Sequence, residues 1–327
     1  MECAAFRVIA SGVANRRPTQ WEAREKRYLG ISLDVLWVSL FTFQAAASPP
    51  ATDIYLADLR TASTGQGRVT VSTPVNVTNR PGYDNQPAFL PDGRSILYTS
   101  VRDSQAEIYR YDIEHRTSTA VTNTRESEYS PTPLPNSVGF SVIRVEADST
   151  QRLWAFDLDG THARLVLDSI KPIGYHAWGD NRTLVLFVLG SPPTLQIADA
   201  GTPTARGDVL ARDIGRSLQR IPNRSSVSFL QRDSVAGPSL QEVDVRTRRV
   251  TQLIKTPIGA EFFAWTPDGI ALTAGGSKLY SWDPRGGGGS AWQEVADFSA
   301  ADLTNLTRLA VSPKGDRVAI VAVPAGP

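Results

Sequence analysis

Asp84, Glu128, His176 and Glu261 are side chains suited to acid–base or metal-assisted chemistry, and all four fall at one stage of a recurring pattern. Each lies in a short segment ahead of an apolar run: Tyr83-Asp84-Asn85-Gln86, Ser127-Glu128-Tyr129-Ser130, Ile173-Gly174-Tyr175-His176 and Ala260-Glu261-Phe262-Phe263. Two carboxylates and an imidazole gathered at one place could hold a divalent cation or move a proton. The matching segments Ser217-Leu218-Gln219-Arg220 and Asn305-Leu306-Thr307-Arg308 bring arginines instead. Taken together, Asp84, Gln86, Glu128, Tyr129, Tyr175, His176, Gln219, Arg220, Glu261 and Arg308 have the make-up of a recognition surface, where aromatic and arginine anchors carry most of the binding energy. Residue type alone leaves both recognition and catalysis open.

Other chemistries lack their residues. The sequence has no Gly-x-Ser-x-Gly elbow for a serine nucleophile, and the tract Gly286-Gly287-Gly288-Gly289-Ser290 has no lysine to make it a phosphate loop. Its one cysteine, Cys3, leaves no intrachain disulfide. His115 and His162 follow Asp112 and Asp157 closely and read as solvated turn residues. Six aspartates recur (Asp58, Asp112, Asp157, Asp199, Asp244 and Asp283), but each ends an apolar run and reads as a turn cap, because a metal site would require convergence. We therefore expect no cofactor and no bound metal.

The elements that must position these residues follow from the repeat. Turn clusters centre on Pro91, Pro135, Gly179, Pro222, Pro267 and Pro313, at steps of 44, 44, 43, 45 and 46 residues. Short alternating runs at a period of about 40 to 45 residues predict an all-β propeller, six-bladed, with four-stranded antiparallel blades. In the clearest copy, one strand ends at Phe89 and Pro91-Asp92-Gly93 turns the chain. A second strand then runs through Ile96-Leu97-Tyr98, a third ends at Asp112, and a fourth lies near Val121. The first half-repeat, Ile54 to Asp58, has a third-strand signature, whereas the last, Leu306 to Val323, has first- and second-strand signatures. The sixth blade is therefore predicted to be closed by strands from both termini, which removes an open edge. The polar segments ahead of the inner strands then converge on one mouth of an axial channel.

Phe89-Leu90-Pro91-Asp92-Gly93-Arg94, followed by Ile96-Leu97-Tyr98-Thr99-Ser100 and by Ile108-Tyr109 and Asp112, resembles the WD-like repeat of the TolB propeller family. The resemblance covers nearly all of residues 52 to 323. It implies the same six-bladed fold and a non-catalytic module that binds a protein segment or other extended ligand. Similar propellers occur in prolyl oligopeptidase-type enzymes, so a secreted hydrolase or lyase using Asp84, Glu128, Glu261 and His176 is the alternative. TolB's preceding α/β domain is expected to have no counterpart here, since six residues separate the expected cleavage site from the first strand.

That cleavage site belongs to an expected signal peptide over residues 1–47, with the propeller over 48–327. Arg24, Lys26 and Arg27 precede an apolar run from Val35 to Phe43, and Ala45-Ala46-Ala47 offers small residues for cleavage. The run is too short to span a bilayer, which takes roughly 20 apolar residues. Removing the segment leaves 28 basic and 29 acidic residues, so no basic excess supports nucleic-acid binding. The expectation is a periplasmic or secreted monomer with a protein or peptide partner in the cell envelope.

Overall fold

The structure is a computed structural model and describes residues 49–62, 68–204, 206–286 and 291–324. Six antiparallel sheets are arranged as the blades of a propeller. Their innermost strands are Tyr83–Phe89, Ser127–Pro133, Ile173–Trp178, Ile214–Ile221, Phe263–Trp265 and Leu309–Val311, for blades one to six in turn. In blade one the chain continues outward through Ser95–Arg102, Gln105–Asp112 and Thr117–Ala120. Blade six joins both ends of the propeller: Asp53 to Asp58 pair with Ala322 to Arg317, and Arg317–Ala322 in turn pairs with Leu309–Val311. The expected closure is therefore present.

The alternation of a strand explains how the ring coheres. In the second strand of blade one, Ile96 and Tyr98 pack toward blade six while Leu97 packs toward blade two. In blade three, Leu184 and Leu186 serve the interface with blade two, and Val185 and Phe187 that with blade four. Because successive side chains leave a strand on opposite faces, an unbroken apolar run supplies two interfaces at once. Each fully buried aliphatic or aromatic side chain contributes roughly 1.5–3 kcal/mol by removal from water.

Polar contacts fix neighbouring blades in register. Trp178 Nε1 in blade three donates to Ser141 Oγ in blade two (2.9 Å), and Ser141 donates to the Thr132 carbonyl (3.2 Å). The same relay recurs between blades five and four, from Trp265 Nε1 to Ser228 Oγ (2.8 Å) and on to the Gln219 carbonyl (3.1 Å). A buried indole N–H needs an acceptor, so the serine converts an apolar anchor into a registered one.

The turns follow the sequence pattern except at Asp58 and at Asp157, where Asp159 caps the turn instead by accepting from Thr161 N (3.0 Å). Gly93 and Gly269 take φ of 70° and 85°, values that favour glycine, and each N–H closes its turn on the carbonyl three residues back. Asp112, Asp199, Asp244 and Asp283 each accept a backbone N–H from the hairpin that follows them. Asp58 does not start a hairpin, contrary to expectation: its strand runs on from Asp53 to Thr61 and pairs with Val69–Val71. The continuation places Leu59 and Val69 in the core between blades five and six, and this burial favours extension over a turn at Asp58. The fourth strand of blade one ends at Ala120, just before the expected Val121. The expected signal peptide and most of the Gly286–Ser290 tract lie outside the described residues.

Candidate functional site

The six inner strands run side by side around an axial channel of about 340 Å³. At the end where these strands begin, Tyr175, Arg216, Phe262 and Arg308 line the channel, and Tyr83 and Tyr129 of blades one and two stand beside them, which gives one large side chain per blade in a ring. Arg308 reaches from blade six across the axis, and its Nη2 donates to the Tyr175 hydroxyl of blade three (2.8 Å). Its guanidinium also lies over the rings of Tyr175 and Phe262, with Cζ 4.9 and 4.3 Å from their centroids. Such cation–π contacts are worth about 0.5–2 kcal/mol and hold the planar group in a fixed attitude.

Tyr83 lies within electrostatic reach of Tyr129, Tyr175, Arg216 and Arg308, which ties the other blades to this ring. Burial pushes its hydroxyl pKa up to about 12, with Tyr175 and Tyr129 reinforcing the rise and Arg308 and Arg216 opposing it. The phenol therefore stays protonated at neutral pH and is available as a donor. Neither Arg216 nor Arg308 forms an ion pair among the described residues, and no carboxylate lines the channel.

Of the ten residues expected from sequence, Gln86, Tyr175, His176, Gln219, Arg220 and Arg308 line the channel. The three carboxylates do not. Asp84 is 0% exposed and accepts from Arg80 Nη1 (2.9 Å). Glu128, also 0% exposed, accepts from Arg144 Nε (2.9 Å) and the Thr124 hydroxyl (2.7 Å). Glu261 pairs with Arg232. Each is held by a guanidinium, so the expected carboxylate cluster does not assemble. Burial raises the pKa of Asp84, against opposing contacts from Ser100 and Arg80. It drives Glu128 up to about 8, with the Thr124 bond opposing and nearby Glu107 reinforcing the rise.

Three other placements follow from local geometry. His176 is 5% exposed, and its Nε2 lies 2.7 Å from Ser141 Oγ, the serine that serves Trp178. All protons are placed if Ser141 accepts from both rings and donates to Thr132, which leaves the His176 lone pair on Nδ1, an atom without a partner. Burial lowers its pKa to about 3, so the ring is neutral. Gln86 takes φ of 58° at a bulge in its strand, and its carboxamide oxygen accepts from Thr99 Oγ1 (2.7 Å) and from Ser130 N of blade two (2.8 Å). Arg220 sits near the far end of its strand, within reach of Asp180 in the neighbouring turn, and so away from Arg308. Tyr129 does not line the channel and stands beside it, within electrostatic reach of Tyr83.

Sequence reasoning missed Tyr83, Arg216 and Phe262. A signal was present, because Tyr83, Tyr129 and Tyr175 follow one another at 46 residues, as do Arg216, Phe262 and Arg308. Only the step from Tyr175 to Arg216, at 41, departs, and there the pairing of the fourth inner strand is irregular between Ile214 and Leu218.

Searches against known protein families and against curated protein sequences find no match. Solved structures do share the architecture. TolB from Acinetobacter baumannii superposes with a TM-score of 0.53 at 16% identity, over 84% of this chain and 64% of that one. This chain thus spans somewhat under two thirds of that protein's length. A structure from Agrobacterium tumefaciens assigned as a TolB gives 0.63 at 14% identity, over 84% and 99% of the two chains. A gluconolactonase from Xanthomonas campestris gives 0.55 at 9% identity, over 86% and 99%. At such identities the likeness is one of fold: the chain is a six-bladed β-propeller whose structural neighbours include TolB proteins and an enzyme.

Proposed function

We propose that this chain is an exported, non-catalytic TolB-like propeller that binds a protein segment at the mouth of its channel. The observation that carries the reading is the gathering of Tyr175, Arg216, Phe262 and Arg308 at the channel, with Tyr83 and Tyr129 beside them, one from each blade. Tyr and Arg are the side chains on which binding energy concentrates, and here they stand on the inner strands or immediately ahead of them. Asp84, Glu128 and Glu261, the groups a hydrolase or lyase would use, are held by Arg80, Arg144 and Arg232, which favours binding over catalysis.

On this reading residues 1–47 direct export, residues 48–327 are the working module, and the protein acts as a monomer in the periplasm or outside the cell. Its partner belongs to the cell envelope. No helix among the described residues is long and apolar enough to cross a membrane.

The test is recovery of a partner from the native envelope fraction by purified wild type and by two variants. Tyr129→Ala/Arg308→Ala should lose the partner, and Arg220→Ala, at the far end of the channel, should keep it. Equal recovery by all three would sink the proposed face.

A further inference from the structure

Charge in this molecule is balanced overall but not along the axis, where arginines line the channel and no carboxylate does. The chain carries 34 basic and 33 acidic residues. Next to the inner strands, Arg80, Arg144 and Arg232 each have a carboxylate. Within the channel, Arg216 and Arg308 have none among the described residues, Arg220 has only Asp180 within reach at the far end, and His176 is neutral. Two of the three guanidiniums stand together at the mouth.

Their donors are also largely unused. A guanidinium offers five N–H groups. Arg308 spends one on the Tyr175 hydroxyl, and no side-chain hydrogen bond holds Arg216 within the described residues. Below the ring small side chains enter the lining: Ala88, Ala177, Ala264 and Ala310, from four different blades, and Leu218 stand beside the polar Thr132 and Gln219. The site thus presents cations and phenols outside and a narrow bore of mixed small apolar and polar groups inside.

We propose that the ring is a carboxylate receptor, and that the segment it takes carries an acidic group next to an apolar side chain. This deepens the binding role proposed above and rests on it. The carboxylate would lie in the fork of Arg308, opposite Arg216, since two parallel N–H bonds match its two oxygens. The apolar side chain would enter the bore against Ala88, Ala177, Ala264 and Ala310. A peptide supplies both groups within adjacent residues. An acidic oligosaccharide supplies the charge but would place hydroxyls against alanines.

The carboxylate can come from an Asp or Glu side chain or from a chain terminus, and the experiment separates these sources. The probes are fluorescein-labelled hexapeptides measured by polarisation against the full chain. One has a central Asp between leucines and both ends blocked, and a second replaces that Asp by Asn. A third has the Asn sequence with a free C-terminal carboxylate. A fourth probe is a uronic-acid tetramer.

The Asp peptide or the free-terminus peptide is expected to bind at least about tenfold more tightly than the blocked Asn peptide, the scale of losing one charge-assisted contact. Preference for one over the other assigns the source. Arg308→Gln and Arg216→Gln should each remove that preference while keeping a single cooperative melting transition, and Arg220→Gln should leave it. Equal binding of the blocked Asp and Asn peptides with no gain from a free terminus, binding of the uronic-acid tetramer alone, or no binding of any peptide would overturn the proposal. Because envelope recovery does not depend on these probes, a partner lost from the ring variants there, together with equal peptide binding here, would refute the carboxylate receptor and leave the binding role standing.

Discussion

Glu128→Gln should make the protein more stable at alkaline pH than the natural sequence. The Glu128 carboxyl is fully buried between blades one and two, and burial, reinforced by Glu107, lifts its pKa from 4.5 to about 8. Between these values the unfolded chain has released a proton that the folded chain still holds. Unfolding then releases a proton, so stability falls as pH rises across that window and the whole penalty is present above pH 8. A displacement of three to four pH units corresponds to an upper limit of roughly 5 kcal/mol. Sharing of the charge with Glu107 and water reaching the opened site reduce this, and we expect about 2–3 kcal/mol.

Glutamine imitates the protonated acid at every pH. Its carbonyl oxygen can accept from Arg144 Nε and Thr124 Oγ1, as Glu128 Oε1 does, and its amide can donate toward Glu107 where the acid would place its proton. Denaturant unfolding at pH 5 and pH 8.5 reads the effect as a difference between variant and natural chain, which cancels other titrations common to both. Near pH 5 the two should be close, and at pH 8.5 the variant should be ahead by about 2 kcal/mol, or several degrees in melting temperature. A variant–natural difference that does not change between the two pH values would refute the assignment.

Two further perturbations address the ring. Ser228→Ala strands the buried indole N–H of Trp265 and should cost about 1–3 kcal/mol, whereas Trp265→Phe/Ser228→Ala should cost less than the sum of the two single changes, as calorimetry of the four proteins would show. Deleting residues 306–327 removes the inner half of blade six and with it side chains from two of the six interfaces, Val318 and Ile320 on one side and Ala319 and Val321 on the other. The truncated chain should lose its cooperative melting transition and associate through the exposed edge of Asp53–Thr61. A monomer with the full melting temperature would contradict the closure.

The blades were legible because they rest on local chemistry repeated six times. Runs such as Ile96-Leu97-Tyr98 and turns such as Pro91-Asp92-Gly93 announce themselves within a dozen residues. The pairing of Glu128 with Arg144 was within reach too, since the two stand directly opposite each other on adjacent strands once that hairpin is drawn. What could not be seen is which polar side chains at the head of each inner strand turn toward the axis. Bulges decide that: at Gln86 and at Ser130, both ahead of proline, the backbone takes a positive φ and the pairing slips, so the simple alternation of faces fails just where the site is built. The contact between Arg308 and Tyr175 joins residues 133 apart in the chain, a separation that local period does not predict.

That contact has a mechanical meaning as well. Blades three and six face each other across the ring, and one hydrogen bond acts as a spoke between them at the mouth. Blades one and four, or two and five, have no such tie among the described residues. The ring is therefore stiffer along one diameter than along the other two. A distortion that turns the circular mouth into an oval meets its resistance along the spoke, and a guest that draws Arg308 away from Tyr175 removes that resistance.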